Sequence, residues 1–204
     1  MQRKDGVMNK KKKSGPVGTI VFLILLAAVI IGVYLKITGD KDEGTQEIPA
    51  DVQEVDVLLK RDLIFDYPQT PREVLRFYCR ITKCLYNEDL SDEQIKKLVQ
   101  QVRMLYSDKL LENNSEEDQI ALIKGDREKY SKDKKTIYSY TIDSANNTEY
   151  IETKEGKTAL LKLYFTLRAG ANMDRAYEIF SLVEDSEKRW KIAAWKAADQ
   201  QTWD

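Results

Sequence analysis

The pattern of apolar and polar positions divides the chain into three regimes. Residues 14–35 carry no charged side chain, and from Val17 to Leu35 the run is apolar almost throughout. About 20 helical residues at about 1.5 Å each span about 30 Å, the thickness of a bilayer's hydrocarbon layer. From about residue 70 apolar positions recur at helical spacing, and from about residue 136 they alternate as in strands.

The helical regime carries its own start signals. Thr70, Pro71 and Glu73 predict an N-terminal capping box with proline at the first helical position. Behind them Val74, Phe77, Tyr78, Ile81, Cys84 and Leu85 share one face, and Asn87 is a stop. Ser91 and Gln94 predict a second capping box and a long helix ending at Asn113 and Asn114. Its apolar face is Ile95, Leu98, Val99, Val102, Leu105 and Tyr106; Lys96, Lys97, Gln100 and Arg103 face away. Ser115 and Asp118 open a shorter, weaker helix with Ile120 and Ile123, ending near Gly125 or Tyr130.

Strand spacing then takes over. Residues 136–142 alternate and are rich in β-formers, and residues 148–152 form a short second candidate. A turn at residues 154–157 leads into a strand over 158–168. Leu161, Leu163, Phe165 and Leu167 lie on one of its faces; Lys162, Tyr164, Thr166 and Arg168 lie on the other. Residues 169–172 turn again, and strands follow over 175–184 and 190–198 with a turn at 185–188. Short turns make antiparallel neighbours. Helices first and a meander of strands afterwards is the α+β class: two to three helices packed on a curved antiparallel sheet of four to five strands.

Charge sets the topology. Residues 1–36 hold seven basic side chains and one acid, among them the run Lys10, Lys11, Lys12 and Lys13. Residues 37–204 hold 26 basic and 33 acidic groups, a formal −7. The positive-inside rule places the lysine run in the cytoplasm and everything after Lys36 outside. A cleaved signal peptide is the competing reading, but the run is long and no A-x-A site follows it. The expected organisation is a basic cytoplasmic tail at 1–15, a transmembrane helix at 16–36, a polar linker at 37–54 and an extracytoplasmic domain at 55–204. Leu58, Leu59, Leu63, Ile64 and Phe65 are too apolar for a free linker and are expected to pack on that domain. An acidic domain lacks the clustered cations that a nucleic-acid backbone requires, so no nucleic-acid partner is expected.

Candidate chemistry is thin. The chain has no histidine, which removes the commonest general base and metal ligand. Cys79 and Cys84 would lie more than about 8 Å apart on a helix, beyond disulfide reach, and read as two small buried hydrophobes. No phosphate-binding loop, nucleophile elbow or calcium loop occurs. No cofactor or metal is expected.

Residues 66–78 and the final strand, with Arg189, Trp190, Lys191, Ile192 and Trp195 after an acidic turn, resemble an uncharacterised family of membrane-anchored bacterial proteins. The element order is similar to the nuclear transport factor 2-like fold. That resemblance implies helices lying across a strongly bent sheet to form a cone, here over roughly residues 55–199. The fold hosts enzymes, ligand binders and scaffolds alike. Within such a cone Phe77, Leu163, Phe165 and Trp190 are candidate pocket lining. Tyr138, Tyr140, Tyr150, Tyr164 and Tyr177 are candidates for pocket or rim, although strand tyrosines are more often structural. If Trp190 and Ile192 face the helices, unbroken alternation puts Trp195 and Tyr164 on the opposite sheet face, as a partner surface or as residues covered by the N-terminal segment.

The expected function is therefore a non-enzymatic, membrane-tethered binding or scaffold domain. The same layout occurs in the single-pass assembly subunits that the resemblance brings in from type IV secretion and conjugation machines. The alternative is a small-molecule binder or enzyme that uses the cone's interior. Expected partners are the lipid bilayer through residues 16–36 and an unknown extracytoplasmic protein or ligand, with a homodimer through the sheet as a further option.

Overall fold

The computed structural model describes residues 53–153 and 156–203. They belong to one compact unit, Gly39–Asp204. The lysine run, the apolar segment at 16–36 and nearly all of the linker lie outside the described residues. Among the described residues no helix is long and apolar enough to cross a membrane.

The architecture is α+β. Among the described residues five helices, α1 (Glu54–Lys60), α2 (Pro71–Asn87), α3 (Asp92–Arg103), α4 (Asp108–Glu112) and α5 (Glu116–Lys132), precede five strands. The strands are β1 (Lys135–Ile142), β2 (Glu149–Thr153), β3 (Gly156–Ala169), β4 (Asn172–Glu184) and β5 (Trp190–Ala198), and a last helical turn, α6, covers Gln200–Trp203. They form one antiparallel sheet. β3 pairs with β4 along one edge, and its other edge is shared by β1 and β2. β5 lies outside β4.

Local chemistry explains most boundaries. Both expected capping boxes are present: Thr70 with Glu73, and Ser91 with Gln94. Each satisfies two backbone N–H groups that have no partner inside the helix. Thr70→Ala or Ser91→Ala is expected to cost about 1 kcal/mol, read as a lowered urea midpoint that Thr70→Ser restores. The β3–β4 hairpin turns in two residues, with Ala169 opposite Asn172. Gly170 takes φ +62°, as the first centre of a type II′ turn requires.

The helical regime departs from its pattern in three places. The helix begun at Ser91 stops at Arg103 instead of reaching Asn113. The chain is pulled against the edge of β5, where Ile192 N–H donates to the Leu105 carbonyl and Ser107 N–H donates to the Ile192 carbonyl. Ser107 then caps α4 separately. The helix begun at Ser115 runs through Gly125 and ends at Lys132, near Tyr130, the later of its two expected ends, and is not the shorter helix expected. None of its side chains is fully buried, which is why its periodicity is weak. Polar contacts hold it: Arg103 to the Asn114 carbonyl and Gln119, Gln119 to the Tyr106 hydroxyl, and Arg127 to the Leu85 and Glu88 carbonyls. Finally, the segment after residue 53 forms α1, which buries Val55 and Leu58. Leu63 is buried too, but Ile64 and Phe65 stand 63% and 89% exposed in the turn before α2, against the expectation that they pack.

One core lies between the helices and one face of the sheet. It takes Leu75, Phe77 and Ile81 from α2, Leu98 and Val102 from α3, and Leu161, Leu163, Phe165, Phe180, Leu182 and Ile192 from the strands. Cys79 and Cys84 are buried, unpaired thiols within it. Side chains of α2 also cover the edge of β1: Lys83 donates to the Tyr138 carbonyl, and Asn87 exchanges two hydrogen bonds with Ile137. With β5 met by residues 105–107, β1 and β5 each have part of their outer edge occupied, which limits pairing with a further strand there.

Candidate functional site

The sheet has an inner face, against the helices, and an outer face. Register assigns residues to each. On the inner face Leu161 lies opposite Phe180 and Trp195, and Leu163 lies opposite Glu178 and Ala197. On the outer face Lys162 lies opposite Ile179 and Lys196, Tyr164 opposite Tyr177, Thr166 opposite Arg175, and Arg168 opposite Met173.

Trp195 and Tyr164 therefore do not share a face. Strand β5 contains a bulge: Ile192 pairs with Leu182 and Ala194 with Ser181, so Ala193 is the extra residue. The bulge resets the alternation and brings Trp195 to the same side as Trp190 and Ile192. There its ring stacks on Phe180 at 5.8 Å, with Tyr106 at 5.9 Å and Tyr78 at 6.4 Å. Trp195 remains 40% exposed at the margin of this aromatic group. Unbroken alternation was the wrong premise, and no turn residue signals the bulge.

The four candidate pocket residues are all buried in the core. Their contacts lie at different points along the sheet. Phe165 packs edge-on against Tyr140 near the β1 end, whereas Trp190 meets Tyr150 near the β2 end. Leu163 sits between them in register, and the Phe77 ring is covered by the Arg61 guanidinium at 4.7 Å. The inner face is thus largely filled by Leu, Phe and Ile side chains.

One inward residue is out of keeping with that filling. Glu178 lies between Leu163 and Ala197, and its Oε2 atom is buried without a hydrogen-bond partner. Burial pushes its carboxyl up from 4.5 to about 7. Burial first, with the Glu178 charge contributing, also raises Tyr78, Cys79 and Tyr130 above their usual values. The group is a carboxyl that is about half protonated near neutrality and is coupled to phenols, so it can donate or accept a proton there. The sequence hides it. In β4 both parities hold apolar residues, Ala176, Phe180 and Leu182 against Tyr177, Ile179 and Val183, so alternation alone does not say which way Glu178 points.

The outer face has the opposite character. Lys162, Arg168, Arg175 and Lys196 project from it, and among the described residues two carboxylates are in register with it, Glu149 at the β2 margin and Asp143 opposite Lys162 just past the end of β1. The Arg175 guanidinium lies over the Tyr164 ring at 4.8 Å, and the Arg168 guanidinium over the Tyr138 ring at 5.3 Å. Tyr164 and Tyr177 meet at 5.4 Å. Arg175 donates to the Tyr177 hydroxyl at 3.5 Å, and this contact raises the guanidinium above its usual value. Tyr138 and Met173 are more than half exposed.

Away from the sheet, Leu59, Lys97, Gln100, Gln101 and Met104 line a hollow of about 370 Å³ between α1 and α3. No group of three or more Cys, Asp or Glu that could hold a metal ion occurs among the described residues.

The fold defines an α+β protein with helices on one side of a five-stranded antiparallel sheet. The chain belongs to the family described as a domain of unknown function (DUF6715), whose model matches residues 8–195. The match takes in the lysine run and the apolar segment as well as the sheet as far as Trp195. No curated protein matches the chain.

Proposed function

We propose that this chain is a membrane-tethered binding or scaffold domain, held outside a bacterial cell membrane, that engages a partner through the outer face of its sheet and performs no catalysis. The observation that carries the reading is the contrast between the two faces: the inner one is largely filled by core, and the outer one presents arginine-stacked tyrosines. Tyr, Arg and Met are enriched at protein interfaces. The tether rests on the uncharged run at 14–35 behind the lysine run, both of which fall within the family match. The finer fold assignment, nuclear transport factor 2-like, belongs to the same proposal and is supported by the order of helices before a strand meander.

The test uses the full chain in intact cells. Externally added protease is expected to cleave beyond Lys36, and a photo-crosslinking residue in place of Tyr164 is expected to capture a defined partner band. Protection of the whole chain from protease, or no crosslink at any outer-face position, overturns the reading.

A second reading, a small-molecule site on the inner face, is favoured by the buried, unpartnered Oε2 of Glu178, whose charge bears on Tyr78. Such a ligand would have to sit among the core side chains around Leu163 and Phe180. Its test is the Glu178→Gln variant with which the Discussion opens. A variant that matches the wild type in stability at about pH 8 would point to a Glu178 already hydrogen-bonded to a ligand.

A further inference from the structure

We propose that the outer face of the sheet docks an acidic segment of a partner protein, with Arg168 and Arg175 as the carboxylate-binding pair. This rests on the binding reading and names the partner's chemistry.

The argument begins with charge. Residues 37–204 carry a formal −7, yet among the described residues the outer face gathers Lys162, Arg168, Arg175 and Lys196 against Glu149 and Asp143. A positive face on an acidic body attracts an acidic partner to that face and repels it elsewhere, which fixes orientation. The two arginines are close by register. Thr166 pairs with Arg175 and Arg168 with Met173, so Arg168 and Arg175 are diagonal neighbours on adjacent strands of one face. Each guanidinium is laid over a tyrosine ring. Stacking restricts the side chain before binding, and the planar fork keeps donors for a bidentate carboxylate.

Composition favours protein over lipid. Tyr138 and Met173 stand exposed beside the arginine pair and offer the apolar contacts of a protein interface. A surface built for anionic lipid would rely on clustered lysines and inserted aromatics. Charge also argues against a second copy. Two-fold pairing through this face would set its cations against the same cations of the second copy.

The experiment uses the full chain in zwitterionic detergent. Three probes are compared: a fluorescent poly-glutamate 12-mer, a poly-lysine 12-mer, and vesicles containing phosphatidylglycerol. The poly-glutamate peptide is expected to bind, to weaken with added salt, and to bind about tenfold or more weaker to Arg168→Glu/Arg175→Glu. Arg168→Gln/Arg175→Gln is expected to fall between, with melting temperatures of both variants near that of the wild type. Equal binding by wild type and variants overturns the proposal. So does binding to the vesicles alone, or concentration-dependent self-association without peptide binding. Failure of this inference is separable from failure of the binding reading. A Tyr164 crosslink that persists in the charge-reversed variant overturns the acidic partner and leaves the binding face standing. Absence of any crosslink overturns both.

Discussion

Replacing Glu178 by Gln is expected to stabilise the protein at about pH 8 and to leave it little changed at about pH 4. The Glu178 carboxyl moves from 4.5 in water to about 7 in the folded chain because burial penalises its charged form. Below 4.5 it is protonated whether the chain is folded or not, so it costs nothing. Between 4.5 and about 7 the unfolded chain releases the proton while the folded chain keeps it. Unfolding gains over that interval, and stability falls as pH rises. Above about 7 both forms are ionised and the loss is complete. The interval corresponds to about 3 kcal/mol at most, which in a domain of this size moves the melting temperature by about 6–12 °C.

Melting curves of wild type, Glu178→Gln and Glu178→Leu across that range check this. The wild type should lose stability with rising pH by more than either variant. Parallel profiles would mean that Glu178 has found a partner or water at its Oε2 atom. A residue that lowers folding stability at neutral pH is a candidate for use, because stability alone would favour Leu there.

How far the sequence reveals this molecule depends on whether the deciding interaction is local. Thr70, Pro71 and Glu73 are legible because all the partners of a capping box lie within one turn. The outward set Lys162, Tyr164 and Arg168 is legible because β3 has one clean apolar parity, Leu161 to Leu167. The break after Arg103 is not legible, because its cause is a pair of hydrogen bonds to Ile192, far along the chain. Trp195 fails for a related reason. A bulge at Ala193 is set by pairing with β4, and one extra residue reverses every later side chain in the strand. Of the outer-face site, the residues on β3 follow from alternation. The stacking of Arg175 on Tyr164 needs the β3–β4 register, which the two-residue turn at Gly170 fixes.

The inner face offers the other large effect. Phe180→Ala is expected to destabilise the protein by about 4 kcal/mol, within the range of about 3–5 kcal/mol for such truncations. Phe180 is fully buried at the centre of the sheet, opposite Leu161 and Trp195. Its ring meets Tyr78 edge-on at 5.2 Å and stacks on Trp195 at 5.8 Å. Truncation removes the ring's burial, leaves a cavity beneath α2 and breaks both ring pairs. Met173→Ala, on the outer face and 56% exposed, is expected to change stability by less than about 0.5 kcal/mol. The pair of variants separates the faces by measurement: urea midpoints should fall sharply for Phe180→Ala and barely move for Met173→Ala. Equal losses would mean that the outer face of the sheet is covered in the folded protein, and a face already covered cannot serve as the docking surface.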